Sequence, residues 1–226
     1  MTEFGRTPPP RSEAELLTRA DAIAGRTLGD VAAEHGPPVP ATTRRGKGWT
    51  GTVIEHALGA NAGSLSEPDF RLISVELKTI PIGVNHRPLE STYVCTVPLA
   101  GGAGPGWRDS NVRRKLARVL WVPFEGDRAI PLPARRIGSA LLWSPSPAEE
   151  TALESDWETL MDRVVLGRVE EISAREGECL QIRPKAANAA ARRRAIGASG
   201  AWETTLPRGF YLRARFTAAI LARHYA

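Results

Sequence analysis

The chain reads DFRLISVELKTI from Asp69 to Ile80, a stretch that combines a β-strand pattern with two acidic residues and a lysine. The alternating Ile, Val and Leu residues over 70–80 predict a strand. Glu76 and Lys78 are two residues apart, so they lie on the same face of that strand. Burying these charges is costly unless a partner such as a divalent metal satisfies the carboxylates. Asp69 would lie on the opposite face of a straight strand, so a shared metal site requires a bend near Pro68–Phe70.

The spacing of these charged residues is a weak signal by itself, because an exposed strand face with a Glu/Lys pair gives the same pattern. Mg²⁺ is usually held by one or two carboxylates together with substrate phosphate, and Lys78 could then hold a water molecule or the scissile phosphate. Glu55 lies on the helix predicted over 49–58. It is either a third carboxylate at the metal or a solvent-facing helix residue.

The rest of the pattern predicts a mixture of helices and short strands. Helices are predicted over 12–24, 27–34, 49–58, 110–119, 146–166 and 216–224, and strands over 92–99, 120–124, 140–143, 180–183 and 210–213. Ser12 with Glu15, and Ser146 followed by Pro147, are typical helix starts. We expect a flexible tail over 1–11 and a single domain over 12–226, of mixed α/β (α+β) class with a central mixed sheet flanked by helices.

The composition excludes several classes of protein. The chain of 226 residues has no apolar run long enough to span a membrane, and Met1–Pro10 contains no signal-peptide core, so we expect a cytoplasmic protein. Cys95 and Cys179 are the only cysteines, too few for a disulfide scaffold or a Cys-ligated zinc site. The histidines lack metal-binding spacing, and there is neither a phosphate-binding loop nor a dinucleotide fingerprint.

The charges are segregated along the chain. Residues 183–226 contain nine basic residues and one acidic residue, residues 105–136 contain eight and three, and residues 146–180 contain three and ten. Two basic blocks favour a polyanionic partner, with a solvated surface as the alternative. The basic residues are 26 Arg and only 4 Lys, which suggests that Lys47, Lys78, Lys115 and Lys185 are retained where a compact ammonium is needed.

The second basic block contains residues suited to reading DNA bases, in the segments 181–188 and 206–213. Arginine can contact guanine through two hydrogen bonds in the major groove, and asparagine can contact adenine. For the triplet Arg192–Arg194 we favour simple phosphate attraction or a solvated face.

With these residues assembled, the sequence resembles the MutH family of methyl-directed mismatch repair endonucleases, which belongs to the restriction-endonuclease-like superfamily. The resemblance extends from about Leu16 to Tyr225. The stretches that carry it are KGWTG at 47–51, LGANAGS at 58–64, the segment 69–81, TYVC at 92–95, LARVLWVP at 116–123, LLWSP at 141–145, QIRPKAAN at 181–188 and LPRGFYL at 206–212.

The resemblance implies a role for each of eleven matching residues and one backbone group. Asp69, Glu76 and Lys78 match the catalytic motif, in which the carboxylates and the Leu77 carbonyl hold the metal and the lysine orients or activates water. Glu55 matches an additional active-site glutamate, and Lys115 a lysine near the scissile strand. Six residues match DNA-contacting positions, namely Lys47, Gly48, Arg183, Pro184, Lys185 and Tyr211. Among them, Arg183, Pro184 and Tyr211 match residues that read GATC and sense the adenine methyl group.

The resemblance also implies a fold and an activity. The fold would be two lobes around a DNA cleft, with catalytic residues mainly in the N-terminal half and base-reading residues in the C-terminal half. The activity would be Mg²⁺-dependent nicking of the unmethylated strand at hemimethylated GATC, with Mn²⁺ expected to substitute. A MutL homologue would activate the enzyme, MutS would act indirectly, and a monomer with no membrane contact is expected.

Two alternatives remain at this stage, namely a stand-alone GATC-specific restriction endonuclease and a non-catalytic DNA-binding protein. The chain also departs from the family pattern in its arginine-rich segment 192–205.

Overall fold

A computed structural model describes residues 7–40, 48–63, 65–99, 106–173, 175–185 and 190–225. In these ranges the α-helices are α1 Glu13–Ile23, α2 Leu28–His35, α3 Trp49–Leu58, α4 Asn111–Leu116, α5 Pro147–Val165 and α6 Ala214–Tyr225. The strands are β1 Glu76–Ile82, β2 Thr92–Thr96, β3 Val119–Glu125, β4 Leu141–Trp143, β5 Leu180–Pro184, β6 Arg193–Ile196, β7 Trp202–Thr205 and β8 Arg208–Leu212. No helix of these ranges is both long and apolar enough to cross a membrane.

The chain divides into two compact units, each built from two separate segments. Unit 1 comprises Met1–Glu90 and Ala117–Ser144, and unit 2 comprises Ser91–Leu116 and Pro145–Ala226.

Unit 1 contains a three-stranded mixed sheet in the order β1-β3-β4. β1 pairs parallel with β3, with Glu76 opposite Val119, and β3 pairs antiparallel with β4. The apolar faces of α1, α2 and α3 pack with β1 and β3 into one core, whose buried members include Leu16, Val31 and Ile54. The burial of these apolar side chains fixes α3 next to the start of β1, where the acidic residues lie.

Unit 2 contains a three-stranded antiparallel sheet in the order β2-β8-β5 and the separate hairpin β6–β7. One helical stripe of α5 is buried, at Leu153, Trp157, Leu160, Met161 and Val164. The carboxylate of Asp156, on the same helix, accepts hydrogen bonds from the main-chain N–H groups of Glu178, Cys179 and Leu180. These bonds satisfy the donors at the point where β5 begins.

The first turns of α1 and α5 are capped by Ser12 and Ser146, the residues that the sequence predicts. The Ser146 hydroxyl accepts from Glu149 N at 3.3 Å, and the Glu149 carboxylate accepts from Ser146 N at 2.9 Å, which completes a capping box. The Ser12 hydroxyl accepts from Glu15 N at 3.1 Å, but the Glu15 carboxylate accepts from Arg11 N instead of Ser12 N.

Three of the predicted elements differ from the structure. The helix predicted over 110–119 covers only Asn111–Leu116, because Val119 already begins β3. The strand predicted over 70–80 begins only at Glu76, because a single 3₁₀ turn over Arg71–Ile73 occupies its first part. The strand predicted over 92–99 ends at Thr96. The sequence analysis missed the hairpin of β6 and β7, since its two strands are short and mostly exposed.

Candidate metal centre and nucleic-acid interface

The start of β1 places a buried carboxylate against a lysine. Glu76 is 2% exposed, and its Oε1 atom lies 2.6 Å from the Nζ atom of Lys78. The Lys78 side chain is 12% exposed. The two residues share one face of β1, as their spacing predicts. The contact is therefore a nearly desolvated ion pair, in which each charge depends on the other.

Asp69 reaches β1 through a tight reversal of the chain between Phe70 and Val75. Phe70 and Val75 exchange main-chain hydrogen bonds, and Ser74 adopts a left-handed conformation with a φ of 53°. The Asp69 carboxylate then accepts a hydrogen bond of 2.9 Å from the N–H of Leu77. The predicted bend is thus present, although the chain reverses after Phe70 and not at Pro68.

Asn61 holds the other side of this reversal in place. Its N–H group donates to the carbonyl of Asp69 at 2.9 Å, and its side-chain Oδ1 accepts from the N–H of Arg71 at 3.1 Å. These two bonds fix Asp69 at the entry to the turn, so the carboxylate position is set by backbone contacts on both sides.

The donor set at this position suits a hard divalent cation. The N–H and C=O groups of a strand residue point to the same edge, so the Leu77 carbonyl faces the edge on which Asp69 lies. Two carboxylates and a carbonyl are oxygen ligands of the kind that Mg²⁺ takes together with water or phosphate. Within the described ranges no three His, Cys, Asp or Glu side chains form a complete metal cage. Asp69 and Glu76 supply two carboxylates, the number that Mg²⁺ commonly takes from a protein when substrate phosphate and water complete its coordination.

Glu55 and Lys115 are placed in different units. Glu55 is half-buried on α3, the helix that packs with β1 in unit 1. Lys115 is half-buried in the last turn of α4, which belongs to unit 2. The roles of both residues at the site stay predictions.

The sheet of unit 2 brings four cationic and aromatic side chains together. Tyr93 on β2 lies opposite Tyr211 on β8, and their ring centroids are 5.4 Å apart in an edge-to-face arrangement. The Lys185 Nζ atom is 3.0 Å from the centroid of the Tyr93 ring, and the Arg183 guanidinium carbon is 5.9 Å from that of Tyr211. We call Arg183, Lys185, Tyr93 and Tyr211 the Tyr/Arg cluster. Cations held on aromatic faces keep a defined position while their N–H groups stay available to a ligand.

Gly209 is required beneath this cluster. It lies opposite Arg183 on β5 and Thr96 on β2. A Cβ atom there would be 2.8 Å from Cε2 of Tyr93 and 3.1 Å from Cε2 of Tyr211. A side chain at this position would therefore displace the rings.

The remaining predicted DNA-contacting residues have distinct positions. Pro184 ends β5, is exposed and pairs with Arg208, while the N–H of Lys185 donates to Pro207 O at 2.7 Å. Gly48 precedes α3 with a φ of 88°, a conformation that favours glycine on backbone grounds alone. Lys47 lies outside the described residues.

Sequence reasoning missed Tyr93 as a site residue. Tyr93 is 118 positions from Tyr211 along the chain, and only the pairing of β2 with β8 brings the two rings together. The TYVC stretch at 92–95 did mark this strand, but nothing local distinguishes a half-buried tyrosine in a cluster from any other strand tyrosine.

Comparison with known proteins gives consistent matches. The family model for "DNA mismatch repair enzyme MutH" matches residues 58–156. Proteins called "DNA mismatch repair protein MutH" from Klebsiella pneumoniae and Salmonella paratyphi B are each 58% identical to the chain over 217 residues, covering 96% of this chain and 94% of theirs. The protein of that name from Escherichia coli is 56% identical over 217 residues, 96% of this chain and 95% of its own.

Proposed function

Because the chain belongs to the MutH family of DNA mismatch repair enzymes, which have a restriction-endonuclease-like fold, we propose that it nicks the unmethylated strand of duplex DNA at hemimethylated GATC sites. The observation that carries this proposal is the arrangement of Asp69, Glu76 and Lys78 at the start of β1. The reaction is hydrolysis of one phosphodiester bond, and Mg²⁺ is the expected cofactor, with Mn²⁺ as a substitute.

The residues of unit 1 divide the chemical work. Asp69, Glu76 and the Leu77 carbonyl hold the ion, which when bound neutralises charge that develops on the scissile phosphate. The Lys78 ammonium, fixed by its 2.6 Å contact with Glu76, orients the attacking water toward the phosphorus atom. Because Lys78 has three donors, it can hold Glu76 and a water molecule together. The half-buried carboxylate of Glu55 is a further candidate for this site.

The Tyr/Arg cluster of unit 2 is the proposed base-reading surface. The Arg183 guanidinium has the geometry to donate two parallel hydrogen bonds to a guanine. The Tyr211 ring and hydroxyl offer an apolar edge and a polar group, which suits detection of an adenine methyl group. Lys185, seated on the Tyr93 ring, supplies a cation for a nearby phosphate.

The wider biology follows from the same family. We propose a cytoplasmic monomer with weak basal activity, stimulated by a MutL homologue and linked to MutS through it. Equal nicking rates with and without the MutL homologue would refute this regulation and leave the nuclease activity intact.

The test uses a duplex with one hemimethylated GATC and a different label on each strand. The protein is added with Mg²⁺, and the products are separated on a denaturing gel. We expect a nick confined to the unmethylated strand, absent with Lys78→Ala or with EDTA, and retained by the matched control Arg87→Ala, which removes an exposed cation of unit 1.

Two other outcomes would overturn the proposal. Cuts in both strands at low enzyme concentration would favour a stand-alone restriction endonuclease. Cleavage of neither strand, even with a MutL homologue present, would leave a non-catalytic DNA-binding protein.

A further inference from the structure

The hairpin of β6 and β7 presents arginine and tryptophan on one exposed face. Arg194 pairs with Thr204, and Trp202 pairs with Ile196, so Arg194 and Trp202 are diagonal neighbours across the two strands. The Arg194 guanidinium carbon lies 4.3 Å from the centroid of the Trp202 ring, and Trp202 is 54% exposed. This cation–π contact holds the exposed guanidinium against the ring.

Two neighbouring arginines add positive charge to the hairpin. Arg192 and Arg193 are both exposed. Arg192 donates to the carbonyl of Ala191 at 2.9 Å. Among the residues that the structure describes, no carboxylate is within ion-pairing distance of Arg193 or Arg194. Arg194 thus presents its charge on the same face as Trp202, and Arg193 lies on the opposite face of β6.

The hairpin is fixed to the body of unit 2 at both strands. Gly167 approaches so closely that a Cβ atom there would be 2.2 Å from the carbonyl carbon of Gly197, at the end of β6. The Glu170 carboxylate accepts a short hydrogen bond from the Thr205 hydroxyl, and it forms an ion pair of 2.5 Å with Arg208. Because of these contacts the arginine face has a defined place and is not a free arm.

The hairpin is connected to the strand that carries Tyr211 by a short segment. Thr205 ends β7, and Arg208 begins β8 three residues later, a span of at most about 10 Å. Pro207 between them accepts the hydrogen bond from Lys185 N. The hairpin and the proposed base-reading residues therefore lie in neighbouring segments of unit 2.

We propose that the β6–β7 hairpin binds the sugar-phosphate backbone of duplex DNA, as a sequence-independent contact that adds affinity without base discrimination. This inference rests on the proposed function, since it takes DNA as the partner. A run of arginine guanidinium groups matches phosphate oxygens in charge and hydrogen bonding, and such contacts fix position without reading sequence. An acidic protein surface is the competing partner, and the experiment below separates the two.

The first experiment measures Kd for two 20-base-pair duplexes, with and without GATC, across a salt series in EDTA so that no cleavage occurs. The test variant is Arg192→Gln/Arg193→Gln/Arg194→Gln. The matched control is Arg163→Gln/Arg168→Gln/Arg175→Gln, which removes the same charge from the acidic block of unit 2. Circular dichroism and thermal unfolding verify that both variants are folded.

The expected result is a change in salt dependence that is equal on the two duplexes. Each lost phosphate contact lowers the slope of log Kd against log salt by about 0.9, so the test variant should lose about 2 to 3 units of slope. The ratio of the two Kd values should stay within twofold of the wild-type ratio, and the control should change the slope by less than about 0.5. An unchanged slope, or an affinity loss confined to the GATC duplex, would overturn the inference.

A second measurement observes Trp202 directly. The other five tryptophans, at 49, 107, 121, 143 and 157, are all buried, so the acrylamide-quenchable fluorescence comes mainly from Trp202. We expect DNA of either sequence to protect this signal, and the signal to be absent in Trp202→Phe. Failure of DNA to protect Trp202, with binding otherwise intact, would overturn the inference.

The two proposals can fail separately. If the wild type prefers GATC and nicks it, but the arginine variant binds both duplexes normally, the hairpin inference fails alone. If the wild type neither prefers nor nicks GATC, the proposed function fails, and the salt slopes still decide whether the hairpin binds DNA.

Discussion

Removal of Lys78 should destabilise the folded protein as well as abolish nicking. Lys78→Ala leaves the Glu76 carboxylate, 2% exposed, without the ammonium that lies 2.6 Å away. Breaking a buried ion pair by removing one partner typically costs about 3 to 5 kcal/mol, because a desolvated charge remains. We expect a loss of about 3 kcal/mol in the metal-free protein, or about 6 to 12 °C in Tm for a chain of this length.

Urea unfolding in EDTA measures this loss, with Lys185→Ala as the matched control. Lys185 is exposed and rests on the Tyr93 ring, so its removal should cost less than about 1 kcal/mol. A double-mutant cycle with Glu76→Gln should give a coupling energy of at least about 1 kcal/mol. The reasoning is wrong if Lys78→Ala unfolds within 1 kcal/mol of the wild type, or if the two substitutions are additive.

Three further substitutions test other parts of the structure. Gly209→Ala places a Cβ against the paired rings of Tyr93 and Tyr211. We expect the ratio of Kd values for non-GATC and GATC duplexes to fall at least tenfold, with little change in salt slope, and an unchanged ratio would contradict the role of the glycine. Arg183→Ala should cost about 1 to 3 kcal/mol of base preference in competition binding, and unchanged selectivity would refute base contact by this residue. Hydrogen bonds from Thr205, and to a lesser extent from Arg208, hold the pKa of the Glu170 carboxyl below its usual value. The ionised carboxylate therefore stabilises the fold at pH values above its unfolded-state pKa, and this stabilisation is lost as the pH falls through the folded-state pKa. Glu170→Gln should reduce the loss of urea stability between pH 7 and 3, and an unchanged pH dependence would exclude the contribution.

Helices of this protein could be predicted closely because their signals are local. The helix α3 runs over Trp49–Leu58 as its apolar spacing predicts. The start of α5 follows from Ser146, Pro147 and Glu149, three neighbouring residues that satisfy one another. In each case the residues that define the helix lie within a few positions of one another, so contacts with distant parts of the chain do not change where the helix forms.

The conformation of the segment before β1 could not be predicted from local signals. Apolar residues over 70–75 suit a strand, yet they form a turn closed by Phe70 and Val75. The left-handed conformation of Ser74 has no glycine to mark it. The turn is stabilised by Asn61, about ten residues away, and this contact is what places Asp69 beside Leu77. The sequence thus predicts that Asp69 needs a bend to reach Glu76, while the turn that brings it to Leu77 was visible only in the structure.

The Tyr/Arg cluster depends on still longer connections. Its members come from β2, from β5 and the residue after it, and from β8, and a bulge after Tyr93 shifts the register of β2. Arg183, Lys185 and Tyr211 were identified through the family resemblance, but spacing along the chain gives no sign of Tyr93. The arginine triplet was recognised as charged, whereas its stacking on Trp202 required the register of the hairpin.

The division of each unit between separate segments has a consequence for synthesis of the protein on the ribosome. Unit 1 has all of its segments once residue 144 has emerged, so its core can close during translation. Strand β2 of unit 2 is made early, at residues 92–96, but pairs only with β8 at 208–212. Until β8 has been synthesised, the residues of β2 expose unpaired backbone groups and apolar side chains to solvent. The nascent chain therefore exposes an unpaired strand until residues 208–212 have been made, and we expect premature association with other chains to concentrate in this interval.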